Sequence, residues 1–298
     1  MAAQVDQVQS QFVESIAPGG MGRTRSFWRV FAEKKTALFG LVVMLLAIAV
    51  ALAAPLLAPQ GPTHLYDALL SPPSSQHPFG TDPLGRDVMS GIVWGTRISL
   101  LFAVGVAGLS LLIGVLLGAI PGYYGGRVDD LFSRFFEVFL MIPRFFLIIL
   151  VVAVFGQNII FTAIVVGMTS WVTNARLTRA QVLTIKERTF VKASMATGAS
   201  HARVLFRHIL PNGLYPVIAN SSLEMAGAII IEAALSFLGL GDSNHLSWGQ
   251  LLFSAQLHIH SWWLALFPGL AITLLVFAFN LIGDGISYAF NPRLRGRG

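Results

Sequence analysis

Residues 192–212 read KASMATGASHARVLFRHILPN. The stretch is basic, rich in small residues and divided by Gly198, yet apolar runs long enough to enter a bilayer flank it on both sides. Thr189 is placed to cap a short helix over 190–197, with Gly198 as the left-handed residue that ends it. Ser200 is placed to cap a second helix, in which Ala202, Leu205, Phe206 and Ile209 share one apolar face while Arg203 and Arg207 point away. Pro211 marks the exit. Isolated helices under about 12–15 residues barely form in water, so this pair needs a surface to pack on. One such surface is the headgroup layer, with arginines reaching lipid phosphate. The small side chains of Ala193, Ser194, Ala196 and Ala199 favour a protein surface instead, because they permit close approach and offer little area to lipid.

The rest of the chain is built for a membrane. Its 298 residues are 55% hydrophobic and only 11% charged, with a mean hydropathy of +0.70. A soluble domain averages about 25% charged residues. There is no cysteine, which excludes disulfide and thiol chemistry. The sequence pI near 10.1 fits cytoplasmic loops rather than a nucleic-acid surface, since no Lys/Arg face with stacking aromatics accompanies it.

A spanning helix needs about 20 mostly apolar residues. Phe39–Ala58 and residues 98–120 are the first two runs. Phe145–Ala175 has no charge but is cut by the FGQN turn at 155–158, so a third span must start near Val128 and carry Arg134, Glu137 and Arg144 with it. The fourth then covers 159–177, the fifth Gly213 to about Leu238, and the sixth Trp263 to about Ile286. Of the 20 Lys and Arg residues, 17 fall in the two tails, in the segment after span two (Arg127, with Arg134 at the near end of span three) and in residues 176–212, which puts both termini in the cytoplasm. A signal peptide cleaved at Ala51-Leu52-Ala53 is disfavoured by the length of the apolar run and of the polar leader. Trp262-Trp263 is placed for an interfacial aromatic belt. The organisation expected is a cytoplasmic tail (1–36), first span and outer loop (37–97), a core (98–290) carrying the basic loop at 189–211, and a C-terminal tail (291–298).

No catalytic pattern accompanies these spans. GxxxxGK[ST], HExxH and GxSxG are all absent, so the chain holds no phosphate loop, zincin helix or nucleophile elbow. His258-Ile-His260 lacks a neighbouring carboxylate or cysteine and is read as outer loop rather than metal site. Glu224 and Glu232 lie within span five, about 80° apart on a helix, and intramembrane acids are candidates for a transport pathway. Gly114, Gly118 and Gly122 recur every four residues on span two, a face for close helix packing.

Lys192-Ala193-Ser194, then Gly198, then His208-Ile209-Leu210-Pro211 resembles the EAA loop of the integral subunits of bacterial ABC importers, with the same spacing. Lys192 stands where that pattern has Glu, Ser194 where it has Ala and His208 where it has Ile. Phe79-Gly80-Thr81-Asp82-Pro83-Leu84-Gly85-Arg86-Asp87 resembles the FGTDxxGRD element of dipeptide and oligopeptide permeases. So do Glu232–Gly241 (EAALSFLGLG), Trp248-Gly249, Phe267–Ala271 (FPGLA), Phe279–Gly285 (FNLIGDG) and Asn291-Pro-Arg-Leu. The resemblance covers about residues 27–294, with the quoted elements running in order from 79 to 294, and the outer loop after a single span resembles the C-type subunit.

The resemblance implies an all-α, six-span, type I ABC importer permease of the bacterial cytoplasmic membrane. It implies a homologous B-type permease, two ABC ATPase subunits that bind ATP and Mg, and an extracytoplasmic substrate-binding protein as partners, with no cofactor on this chain and no nucleic acid. Coupling to the ATPases would fall to Lys192, Ala193, Ser194, Gly198, Ala199, Arg203, Leu210 and Pro211. Phe79, Gly80, Thr81, Asp82, Gly85, Arg86 and Asp87 would contact the binding protein or wall the outer vestibule, unless they simply structure the loop. Peptides are the cargo implied, and nickel chelates, glutathione or another small solute are the alternative. An ATP-independent secondary transporter would need ion-coupling residues and an inverted repeat, and neither is found.

Overall fold

The computed structural model describes residues 20–242 and 244–290, with side chains from Phe27 onward. The tails at 1–19 and 291–298, including Asn291-Pro-Arg-Leu, lie outside the described residues. The helices are α1 (Gly20–Glu33), α2 (Lys35–Leu57), α3 (Val88–Tyr124), α4 (Gly126–Met141), α5 (Arg144–Phe155), α6 (Ile159–Lys186) and α7 (Thr189–Ala196). They continue as α8 (201–213), α9 (Tyr215–Leu240), α10 (Trp248–Leu257) and α11 (Trp263–Phe290). Among them α2, α3, α6, α9 and α11 are each long and apolar enough to cross a bilayer, and α4 with α5 makes a sixth passage if the bent pair counts as one.

That third passage is broken rather than continuous, with a bend of 71°. Pro143 is the cause. The residue before a proline is pushed out of the helical region, and Ile142 sits at φ −81°, ψ 121°, so α4 stops and α5 restarts at Arg144. Other boundaries also moved. Helix α3 begins at Val88 because the Asp87 carboxylate accepts the Ser90 N–H at 2.7 Å, and its 37 residues reach about 55 Å, well past a hydrocarbon core of about 30 Å. Helix α6 runs on to Lys186, so the first part of the region read as a loop from 176 is helical. The outer segment 239–262 contains α10, capped by Ser247, and the N-terminal tail contains α1.

Helix α3 is the central element and packs most extensively along α6; α9 packs on α11 and α3, and α11 on α2. The α3–α6 contact is a backbone seam. A Cβ on Gly118 would lie 2.2 Å from the Ala175 carbonyl oxygen, one on Gly114 2.5 Å from Asn174 Cβ, and one on Gly122 2.9 Å from the Arg179 carbonyl oxygen. Phe102, Val106, Ile148, Val152, Val166 and Ala228 then close the core between α3, α5, α6 and α9.

The seam predicts an asymmetry between two alanines on one helix. Gly118→Ala has no room and should lower stability by about 1–3 kcal/mol. Gly108→Ala meets nothing within 4 Å and should be neutral or slightly stabilising. Thermal loss of the monodisperse peak in detergent checks both, and equal midpoints would show that the glycine seam does not hold α3 to α6.

Candidate functional site: a coupling surface, an outer knot and an intramembrane polar cluster

The basic segment is mounted on the end of α6. Val191, Val204, Leu205, Ile209 and Leu210 are buried against Ala119, Val182 and Ile185. Gly198 adopts φ +84°, and Ser200 caps the second helix by accepting the Arg203 N–H at 3.4 Å. Thr189, by contrast, is the first helical residue and caps nothing; Arg188 precedes it in an extended conformation. The apolar face also differs from the 3.6-residue reading. Residues Val204–Ile209 form a π turn, so the inward positions are Val204, Leu205, Ile209 and Leu210, while Ala202 and Phe206 are exposed.

The outward surface holds Ala193, Gly198 and Arg203, with Phe190, Met195 and Phe206 among them. Ser194 and Ala199 are half-buried and Pro211 is exposed. Lys192 is exposed and pairs with Glu187 at 2.9 Å, which holds that carboxyl below its ordinary pKa. An exposed pair of this kind adds little stability. No sequence periodicity marked Phe190, Met195 and Phe206 as one exposed apolar set.

The outer loop is tied into a knot. Asp82 is fully buried and accepts the N–H groups of Leu84 (2.9 Å) and Arg86 (2.8 Å) and the Arg86 Nε (2.6 Å). Thr81 is equally buried; its hydroxyl accepts the Ser71 N–H at 2.9 Å, and its carbonyl accepts Trp263 Nε1 at 3.0 Å. Phe79 stacks on Phe267 at 4.1 Å, and Asp87 receives His77 Nδ1 at 3.1 Å. Gly85 turns at φ +78° with the Tyr66 carbonyl where a Cβ would go, and Gly80 packs against the Trp263 ring. Trp263 is buried in the knot; Trp262 is the exposed member of the pair.

Within the membrane the two acids separate. Glu232 is buried and accepts the Ser236 hydroxyl at 2.8 Å. Glu224 is half-buried, accepting Ser110 Oγ at 3.1 Å and Asn174 Nδ2 at 2.8 Å, while Asn220 Nδ2 donates to Asn174 Oδ1 at 3.0 Å. Glu224 opens onto a cavity of about 220 Å³ that also presents Arg144, Ser170, Thr173 and Asn220. Sequence reasoning placed Arg144 in the third span without assigning it a partner; the residues it meets lie 26 or more positions away. Farther along α6 a second cavity, about 120 Å³, is lined by Ser133, Glu137, Arg176 and Arg179.

Two family models match this chain. Residues 114–296 match the binding-protein-dependent transport system inner membrane component, and residues 22–73 match the N-terminal transmembrane domain of oligopeptide transport permease C. The chain belongs to the binding-protein-dependent ABC permease family. It is 40% identical to the di/tripeptide transport system permease protein DppC of Pseudomonas aeruginosa, over 91% of this chain and 92% of that one. The oligopeptide permease OppC of Haemophilus influenzae is 37% identical over 98% and 97%, and the glutathione permease GsiD of Pectobacterium atrosepticum 38% over 91% of each.

This permease is therefore a multi-pass inner-membrane transport subunit without enzymatic activity of its own, and in its family ATP is hydrolysed on separate subunits. In that setting the knot acts through the fold: it fixes the start of α3 to the start of α11. Breaking a buried ion pair by removing one partner costs about 3–5 kcal/mol. Asp82→Ala should therefore open residues 60–86 to protease in the detergent-solubilised permease, whereas Leu84→Ala, at an exposed side chain, should not. Equal cleavage of the two variants would show that Asp82 does not hold the loop.

Proposed function

We propose that this permease forms half of the pathway of an ATP-driven peptide importer, with di- or oligopeptides as cargo and both termini in the cytoplasm. The other half is a homologous B-type permease, two ATPase subunits bind Mg and ATP, and an extracytoplasmic binding protein delivers the substrate. The single observation that carries the coupling role is the geometry of residues 189–211: an apolar inner face locked to α6 and an exposed outer face of small, basic and apolar side chains. Such a face suits a groove on a cytoplasmic protein. Closure of the ATPases on ATP pushes Ala193, Gly198, Arg203 and their neighbours, and α6 carries the displacement into the spans. Leu210 and Pro211 hold the return into α9. The similarity to the glutathione permease supports a second cargo, itself a peptide.

Outer-loop residues 79–87 support a vestibule wall braced against α11, on which the binding protein docks. Glu224 supports a pathway position because it opens onto a cavity, and Glu232 a positioning one because it is enclosed.

The native sequence has no cysteine, so single cysteines report topology cleanly. Ser75→Cys should react with an impermeant maleimide from outside intact cells and Ala202→Cys should not; labelling of Ala202→Cys alone, or of both, contradicts the orientation. Coupling has its own test. Gly198→Val forces a β-branched residue into a left-handed conformation, at a cost of about 1–3 kcal/mol, and Ala193→Glu holds the surfaces apart. Both variants should insert and pair with the B-type subunit yet lose transport, with ATPase subunits co-purifying poorly or hydrolysing ATP without transport. Full assembly and unaltered transport in both would refute the coupling role.

A further inference from the structure

Arg144 forms no ion pair among the described residues. It is the first residue of α5, where the positive end of the helix dipole disfavours a guanidinium. Its guanidinium donates to the Ser170 hydroxyl, and among the described residues no carboxylate lies within 4.0 Å of it. Glu224 shares its cavity but does not close onto it; its two carboxylate oxygens accept from Ser110 and Asn174, one each. Asn220 in turn holds Asn174, so the arrangement is fixed from α3, α6 and α9 together. The result is an open guanidinium on one wall of a cavity and a fixed carboxylate on another.

A face of this kind does not suit lipid. Ionisable groups at membrane depth turn to a bundle interior or a water-filled path and find partners there. Arg144 is exposed in the isolated chain, and Thr173 beside it is exposed as well. The polar surface continues along α6 through Arg176 and Arg179 to the second cavity. A guanidinium presents a planar fork of donors that matches a carboxylate in two parallel hydrogen bonds, and such charge-assisted pairs are the strong ones.

We propose that Arg144 is a substrate-contacting residue, receiving the C-terminal carboxylate of the peptide during passage through the membrane. This rests on the peptide reading above. Ser170 holds the guanidinium toward the cavity, and the Ser110–Asn174–Asn220 network keeps Glu224 from occupying the place the substrate carboxylate takes. An anion therefore completes the site only while cargo is in transit, which suits a transporter that must also release it.

The test uses the complete reconstituted complex in proteoliposomes, with alanyl-alanine and its C-terminal amide as probes and uptake normalised to measured binding-protein occupancy. Wild type should prefer the free acid. Arg144→Gln should shrink that preference about tenfold or more, as loss of a charged hydrogen bond implies, and Arg144→Lys should keep most of it. Preference unchanged in an Arg144→Gln complex of normal composition overturns the assignment. So does equal loss of both probes in Arg144→Gln and Arg144→Lys, which would mark a structural role, or a wild type that moves acid and amide alike. A wild-type complex that moves neither these probes nor pentaalanine refutes the peptide reading itself, and this inference with it; one that moves only pentaalanine is read with pentaalanine and its C-terminal amide.

Discussion

Between Gly118 and the Ala175 carbonyl there is no space for a methyl group. Most of what this permease does follows from that contact. Without a hydrophobic driving force between helices in lipid, close backbone approach and interhelical hydrogen bonds must hold the bundle. The seam supplies the first and makes the second possible. It brings Asn174 of α6 against α3, where Ser110 and Asn174 meet at 3.1 Å and together orient Glu224 of α9. Three helices are thus registered at one depth by a glycine spacing and a few polar side chains.

The same seam extends toward the basic segment. Beyond Gly122, α6 continues to Lys186, and its Val182 and Ile185 form the floor on which α7 and α8 sit. The segment is consequently a continuation of α6, and a push on α7 is a push on the helix that carries Ser170, Thr173 and Asn174. At the other end of α3, the buried Asp82–Arg86 pair and the Trp263 hydrogen bond fix the outer loop to α11. Helix α3 is held at both ends and along its length, while α5, after the break at Pro143, packs chiefly on α6.

Much of this architecture was legible in the sequence, because hydropathy over about 20 residues is a strong signal and because Gly198, Ser200 and the glycines at 114, 118 and 122 act through local geometry. What escaped was whatever depends on a change of period or on distant residues. The apolar face of α8 was assigned with a helical repeat of 3.6, and the π turn at Val204–Ile209 shifted it, leaving Ala202 and Phe206 outside. Pro143 carried the signal for the broken third passage, yet the length argument that started it near Val128 treated that passage as continuous. Trp263 was placed at an interface by its residue type; its partner Thr81 lies 182 positions away. Arg144 likewise had no local mark, since its surroundings come from α6 and α9.

The central claim is that residues 189–211 are the surface through which ATPase subunits drive this chain. Met195 is on the exposed face of α7, and the native chain has no cysteine, so Met195→Cys can be footprinted with a bulky maleimide. Met195→Cys should label rapidly in the permease pair alone and be strongly protected once the ATPase subunits are bound, with Leu257→Cys, on α10, labelled at the same rate in both. Met195→Cys labelling at one rate with and without bound ATPase subunits would contradict that claim.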